Sequence, residues 1–67
     1  MYKGQVKWFN TKKGYGFIVP EEGDKDIFVH ISALKAAGLN SLDEDQAVEY
    51  DLTTENGKTF ATNIVVK

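Results

Sequence analysis

The segments Lys13-Gly14-Tyr15-Gly16-Phe17-Ile18 and Ile27-Phe28-Val29-His30-Ile31 decide how this chain reads. Both are strand-like, and each carries rings on alternate positions. Side chains alternate faces with period two along a strand. Tyr15 and Phe17 therefore share one face, and Phe28 and His30 share a face of the next strand. Ile18, Ile27 and Val29 have the opposite parity, which sends the aliphatic residues inward and the rings outward. The small Gly16 between Tyr15 and Phe17 leaves those rings unshielded. Rings side by side on adjacent strands would make a flat platform for other flat rings. Nucleobases fit it, because every base has a π-face whatever its identity.

Working outward, Lys3–Asn10 reads as a first strand, ending in a turn at Thr11-Lys12-Lys13-Gly14. The second strand, Tyr15–Val19, is stopped by Pro20, which cannot donate to a sheet ladder. Glu21-Glu22-Gly23-Asp24-Lys25 reads as a polar turn and Asp26–Ile31 as the third strand. Residues Ser32–Ala37 supply at most two helical turns before Gly38, and the loop Leu39–Asp45 comes next. In the fourth strand, Ala47–Thr53, Val48, Tyr50 and Leu52 face one way and Glu49, Asp51 and Thr53 the other. Glu55-Asn56-Gly57-Lys58 is a two-residue hairpin signal, since both central residues tolerate positive φ. Thr59–Val66 completes the set. Five short strands with almost no helix define an all-β class: a five-stranded antiparallel β-barrel of the oligonucleotide-binding type.

The chain has 67 residues, no cysteine and one proline. It reads as one domain, residues 1–67, whose stability rests on an apolar core without disulfides or thiolate metal sites. It shows no membrane-length apolar run and no leader-like amino terminus, so the expectation is a complete, soluble, cytoplasmic protein. The net charge of −2 is unevenly spread. Residues 1–20 hold Lys3, Lys7, Lys12 and Lys13 with no acid, whereas residues 21–67 carry ten acids and four lysines. Six of the eight aromatics also lie within the first 28 residues, so cationic charge and rings share one region. That is the local footprint of a nucleic-acid site.

The run Gly4-x-Val6-Lys7-Trp8-Phe9-Asn10-x-x-Lys13-Gly14-Tyr15-Gly16-Phe17-Ile18, followed by Asp26-Ile27-Phe28-Val29-His30, resembles the bacterial cold-shock proteins. Ser32-Ala33-Leu34, Leu42-Asp43-Glu44 and Ala61-Thr62-Asn63-Ile64 also fall where that family's pattern would put them, and the resemblance covers the whole chain. It implies an antiparallel barrel that binds single-stranded RNA and DNA with little sequence preference. It also implies an RNA chaperone and regulator of transcription or translation, acting in cold adaptation. Carried over by position, the stacking residues are Trp8, Tyr15, Phe17, Phe28 and His30, with Lys7 and Lys13 near the phosphates.

Several positions depart from that pattern. Ile31 and Leu39 stand where aromatic rings are usual; either can cover a base by apolar contact, and outer base subsites are expected to be weakened. Asp45 occupies an expected glycine position and needs the left-handed tolerance of aspartate or another turn geometry. Phe60, where a polar residue is usual, is a candidate replacement platform, although its parity matches Ile64 and favours core packing. Trp8 shares parity with Val6, which sends it inward unless a bulge intervenes. Val6, Ile18, Ile27, Val29, Leu34, Val48, Leu52 and Ile64 are the expected aliphatic core, and adding the rings to it would overpack the barrel. Phe9 is expected as half-buried support.

Other function classes fit less well. The RNA-recognition fold shares a similar aromatic signature, but each of its two βαβ-type units needs roughly 30 residues and a true crossover helix. His30, Ser32 and Asp26 supply the residue types of a catalytic triad without a nucleophile turn, so no enzyme is expected. A lone histidine without cysteine leaves no metal site, and neither cofactor nor small-molecule substrate is implied. A barrel using the same groove for a proline-rich peptide is the alternative partner reading; it gives Lys7 and Lys13 no role. Duplex binding lacks a recognition helix. The expected state is a monomer.

Overall fold

The computed structural model describes residues 1–23 and 25–67; Asp24, within the expected polar turn, lies outside the described residues. The elements run β1 Tyr2–Asn10, β2 Tyr15–Pro20, β3 Ile27–His30, α1 Ile31–Ala36, β4 Ala47–Glu55 and β5 Lys58–Val66. All five expected strands are present. The third is shorter than expected at both ends, since Asp26 precedes the ladder and Ile31 leaves it to open α1. The fourth runs on to Glu55, where the hairpin register sets Glu55 opposite Lys58.

The strands join in the order β1-β2-β3-β5-β4, and β4 pairs back onto β1 to close the sheet. Four junctions are antiparallel. The fifth, β3 to β5, is parallel and consists of one Cα pair, Phe28 with Phe60. That parallel junction results from chain order: α1 and the loop after it carry the chain across the barrel before β4 and β5 return.

Alternation accounts for most of the interior. Val6, Ile18, Val29, Leu34, Val48 and Ile64 are buried as expected, and Tyr50, Leu42 and Ala61 complete the cluster. Ile27 and Phe9 are half-buried and pack against it. Leu52 was expected inside but is 36% exposed. β1 begins opposite Tyr50, so β4 beyond that point loses its β1 neighbour, and Leu52 stands past the covered end of the sheet.

Two register shifts break the simple alternation. Val6 pairs with Ile18, yet Trp8 pairs with Phe17, so β1 supplies an extra residue at Lys7. Glu49 pairs with Val65, yet Asp51 pairs with Thr62, so β5 takes three steps to the two of β4. Asn63, at φ 51°, marks the second bulge. An extra residue moves the side chains beyond it to the other face. Trp8 is thereby brought outward, against the parity expectation. The parity that put Phe60 with Ile64 also fails, since Ala61 and Ile64 are both buried across the bulge and Phe60, next to inward Ala61, takes the opposite face.

The turns obey their local chemistry. Asn10 Oδ1 accepts from the Lys12 and Lys13 backbone N–H groups at 2.9 and 3.0 Å, and the Gly14 N–H donates to Asn10 O at 2.8 Å. Gly14, at φ 80°, takes a conformation that few side chains tolerate. Asp45 is left-handed at φ 64°, the first of the two alternatives expected for that position.

Candidate nucleic-acid interface

The β1–β2–β3 face gathers the predicted rings. Phe17 is the register partner of both Trp8 and Phe28, and Tyr15 is the partner of His30. Trp8 meets Phe17 at 5.3 Å between ring centroids and 62°, and Tyr15 at 5.6 Å and 65°. Phe17 and Phe28 lie 5.9 Å apart at 74°, whereas Tyr15 and Phe28 stack at 5.7 Å and 27°. His30 adjoins Phe28 at 6.4 Å and 39°. Edge-to-face and offset pairs are the favoured arrangements of aromatic quadrupoles, so the cluster supports itself. It is corrugated rather than the flat platform expected. Tyr15, Phe28 and His30 form a tilted row, with Trp8 and Phe17 standing against it.

Each ring is positioned by a local device. Gly16 lets the backbones of β1 and β2 approach: a Cβ there would lie 2.3 Å from Trp8 O and 2.6 Å from Phe9 Cδ2. Trp8, Tyr15, Phe17 and Phe28 are half-buried and His30 is exposed. His30 also caps α1, its Nδ1 accepting the Ser32 backbone N–H at 3.1 Å, with Ser32 Oγ at 3.0 Å from the same nitrogen. That bond engages the Nδ1 lone pair and leaves the neutral ring its proton on Nε2. The cap fixes the ring orientation.

The charges are arranged less simply. Lys7 Nζ lies 2.8 Å from Asp26 Oδ2, with the two side chains 53% and 37% exposed. A cation expected near phosphate is thus held by a carboxylate, and Asp26, one of the three triad residue types, is turned to Lys7. Lys13 is exposed beside the Asn10-anchored turn. Away from the rings, Lys67 donates to Glu49 and holds its carboxyl below the usual range.

Ile31 opens α1 next to Gly14, to whose carbonyl it donates at 2.9 Å. Leu39 is half-buried and packs against the core cluster, so the structure does not bring it to the ring row. Phe60 stands across the β3–β5 junction from Phe28, and both line a groove of about 580 Å³. Among the described residues, no three His, Asp or Glu side chains converge on a metal position, and no helix is long and apolar enough to cross a membrane.

A model of the 'Cold-shock' DNA-binding domain matches residues 2–67. The chain belongs to the cold-shock domain family. It is 55% identical over 64 residues to the Cold shock-like protein CspA of Rickettsia bellii, spanning 96% of this chain and 91% of that one. Its identity to the Cold shock-like protein CspE of Escherichia coli is 49% over 63 residues, with 94% and 91% covered. With the Cold shock protein CspA of Rhizobium meliloti it shares 52% over 66 residues, 96% of each. The cold-shock domain is a nucleic-acid-binding module, and the ring face described above is where this copy concentrates its outward aromatic surface.

Sequence reasoning missed Asp26 as the partner of Lys7, Ser32 as the donor that holds His30, and Asn63 as the bulge. Asn63 did leave a signal. Asparagine is depleted in strands and tolerates left-handed backbone, so one in the middle of β5 marks a break in alternation.

Proposed function

We propose that this cold-shock domain, residues 1–67 acting as one unit, binds single-stranded RNA and DNA with little sequence preference. Trp8, Tyr15, Phe17, Phe28 and His30 stack bases, while Lys7 and Lys13 meet phosphates. The chain then acts in the cytoplasm as an RNA chaperone and as a regulator of transcription or translation in cold adaptation. It works as a monomer and without enzymatic chemistry. One observation carries this reading: four large rings and an imidazole lie on the outer face of adjoining strands while a separate cluster, aliphatic but for Tyr50, fills the barrel. A contiguous apolar patch of this kind on a small soluble domain marks a binding site. Stacking tolerates any base, which accounts for low specificity. The acidic remainder of the chain disfavours phosphate elsewhere and keeps binding reversible.

The test is a titration of Trp8 fluorescence with oligothymidine and with a duplex of equal length, at two salt concentrations. Quenching by the single strand alone is expected. If about three or four lysines meet phosphates, log K should fall with log salt at a slope of roughly −2 to −3. Absence of quenching by either ligand would overturn the reading. Salt-independent binding of a proline-rich peptide in its place would support the alternative.

A further inference from the structure

The β4–β5 hairpin carries a ring that the core does not use. Phe60 is half-buried, yet it belongs neither to the buried cluster nor to the residues packed against it. Its direction is set by the bulge at Asn63. With Ala61 and Ile64 both inward, Phe60 and Thr62 take the outer face, where Thr62 Oγ1 lies 3.0 Å from Thr53 Oγ1. Phe60 is also the Cα partner of Phe28, so it joins the same face as Phe17 and Tyr15. The groove of about 580 Å³ beside it is lined by Phe28, Phe60, Thr59, Lys58, Asn56 and Glu55. On the other flank of the ring row, Ile31 sits against the Gly14 turn and Leu39 against the core.

We infer that Phe60 forms a further base subsite, continuous with the ring cluster through Phe28, and that Lys58 meets the adjoining phosphate. The occupant is one more nucleotide of the same single strand, and the inference rests on the single-strand reading above. Three features point to that occupant. Phe28 belongs to both surfaces, so a strand lying on the ring row reaches the groove without leaving the protein. The groove joins ring surface to an exposed cation, which matches a base followed by a phosphate. Glu55 and Asn56 at its rim offer acceptors to base N–H groups. Lys58 faces Glu55 in the hairpin register, so the local charge is nearly balanced and the subsite depends mainly on stacking. The footprint of this chain is therefore displaced from the α1 flank towards the hairpin.

The test is a length series of oligothymidines, from four to eight nucleotides, followed by Trp8 fluorescence for the native chain, Phe60→Ala, Phe60→Tyr and Lys58→Ala. Phe60→Ala should leave the shortest ligand unaffected and weaken the longest by about 5- to 150-fold. Phe60→Tyr should behave as native, and Lys58→Ala should lose less than Phe60→Ala. A length series for Phe60→Ala that superimposes on the native one overturns the subsite and leaves the single-strand reading intact. Failure of the native chain to bind at any length overturns both. Should Phe60→Ala unfold, the ring proton resonances of Phe60 in the native chain decide instead. They should move with an eight-nucleotide ligand and stay in place with a four-nucleotide one; resonances unmoved by both overturn the subsite.

Discussion

The Trp8 indole meets the Phe17 ring at 5.3 Å and 62° because Lys7 is an extra residue in β1. Phe17 also touches Tyr15 and Phe28, and Tyr15 in turn touches Trp8 and Phe28, so these two rings tie the cluster together. Replacing Phe17 with alanine removes ring area from the interface while leaving the buried cluster untouched. Phe17→Ala should weaken binding of a six-nucleotide oligothymidine by about 1–3 kcal/mol. Calorimetric titration alongside thermal melting checks this. A large fall in Tm with unchanged affinity would make Phe17 a packing residue.

The Lys7–Asp26 pair predicts an affinity gain by mutation. Exposed ion pairs contribute only about 0.2–1 kcal/mol, so Asp26→Asn should change stability little. It frees the Lys7 ammonium and removes a negative charge from its side. Single-strand affinity should rise about two- to fivefold at low salt, and the gain should shrink as salt screens the charges. Weaker binding would mean that Asp26 itself contacts the ligand.

Gly16 is a close-approach site. The Cβ of an alanine there would lie 2.3 Å from Trp8 O and 2.8 Å from Phe9 Cα, so backbone rather than a side-chain tip must move. Gly16→Ala should cost about 1–3 kcal/mol in urea unfolding, as overpacked sites do, and should weaken oligonucleotide binding by displacing Trp8. Native stability in this variant would show that β1 and β2 separate more easily than the contact distances imply.

Tyr50 sets an alkaline limit. Burial, and then the neighbouring Tyr2, raise its phenol above the ordinary 10.0. A raised folded-state value favours the neutral form, so this contribution is complete below the unfolded-state value and is lost as pH climbs through the folded one. Stability should decline above about pH 10 in the native chain and less steeply in Tyr50→Phe. Parallel slopes in urea melts of the two proteins across that range would remove Tyr50 as the cause.

Ile31 begins α1 beside the lysine turn, where an aromatic ring is usual in the family it resembles. Ile31→Phe should add stacking surface on that flank and tighten binding of six- or seven-nucleotide oligothymidine. The gain should be a fraction of the roughly 1–3 kcal/mol of a full stack, since isoleucine already offers apolar cover. Unchanged affinity would show that the strand does not pass over α1.

Much of the architecture was legible in the residues themselves. Alternation placed Val6, Ile18, Val29 and Val48 inside, and Asn56-Gly57 located the hairpin, whose central residues adopt φ 51° and 76°. The ring row was legible because Tyr15, Phe17 and Phe28 sit in unbroken stretches of period two. Alternation failed where chain geometry, not hydrophobicity, set direction. Parity misplaced Trp8 and Phe60 because each lies beyond a bulge, and it misplaced Leu52 because β1 only begins opposite Tyr50 and leaves the rest of β4 uncovered on that side. Contacts such as Lys7 with Asp26, 19 positions apart, depend on strand register, which local pattern does not carry.

The two bulges make barrel direction an editable property. At Lys7 and at Asn63 a single surplus residue decides whether the neighbouring ring serves the interior or the surface. A one-codon insertion or deletion at either place would toggle an aromatic between packing and recognition, and would turn its inward neighbour, Phe9 or Ala61, the other way. Within this fold an indel, and not only an exchange of side chains, can therefore redraw the outward aromatic surface, at the cost of repacking the strand beside it.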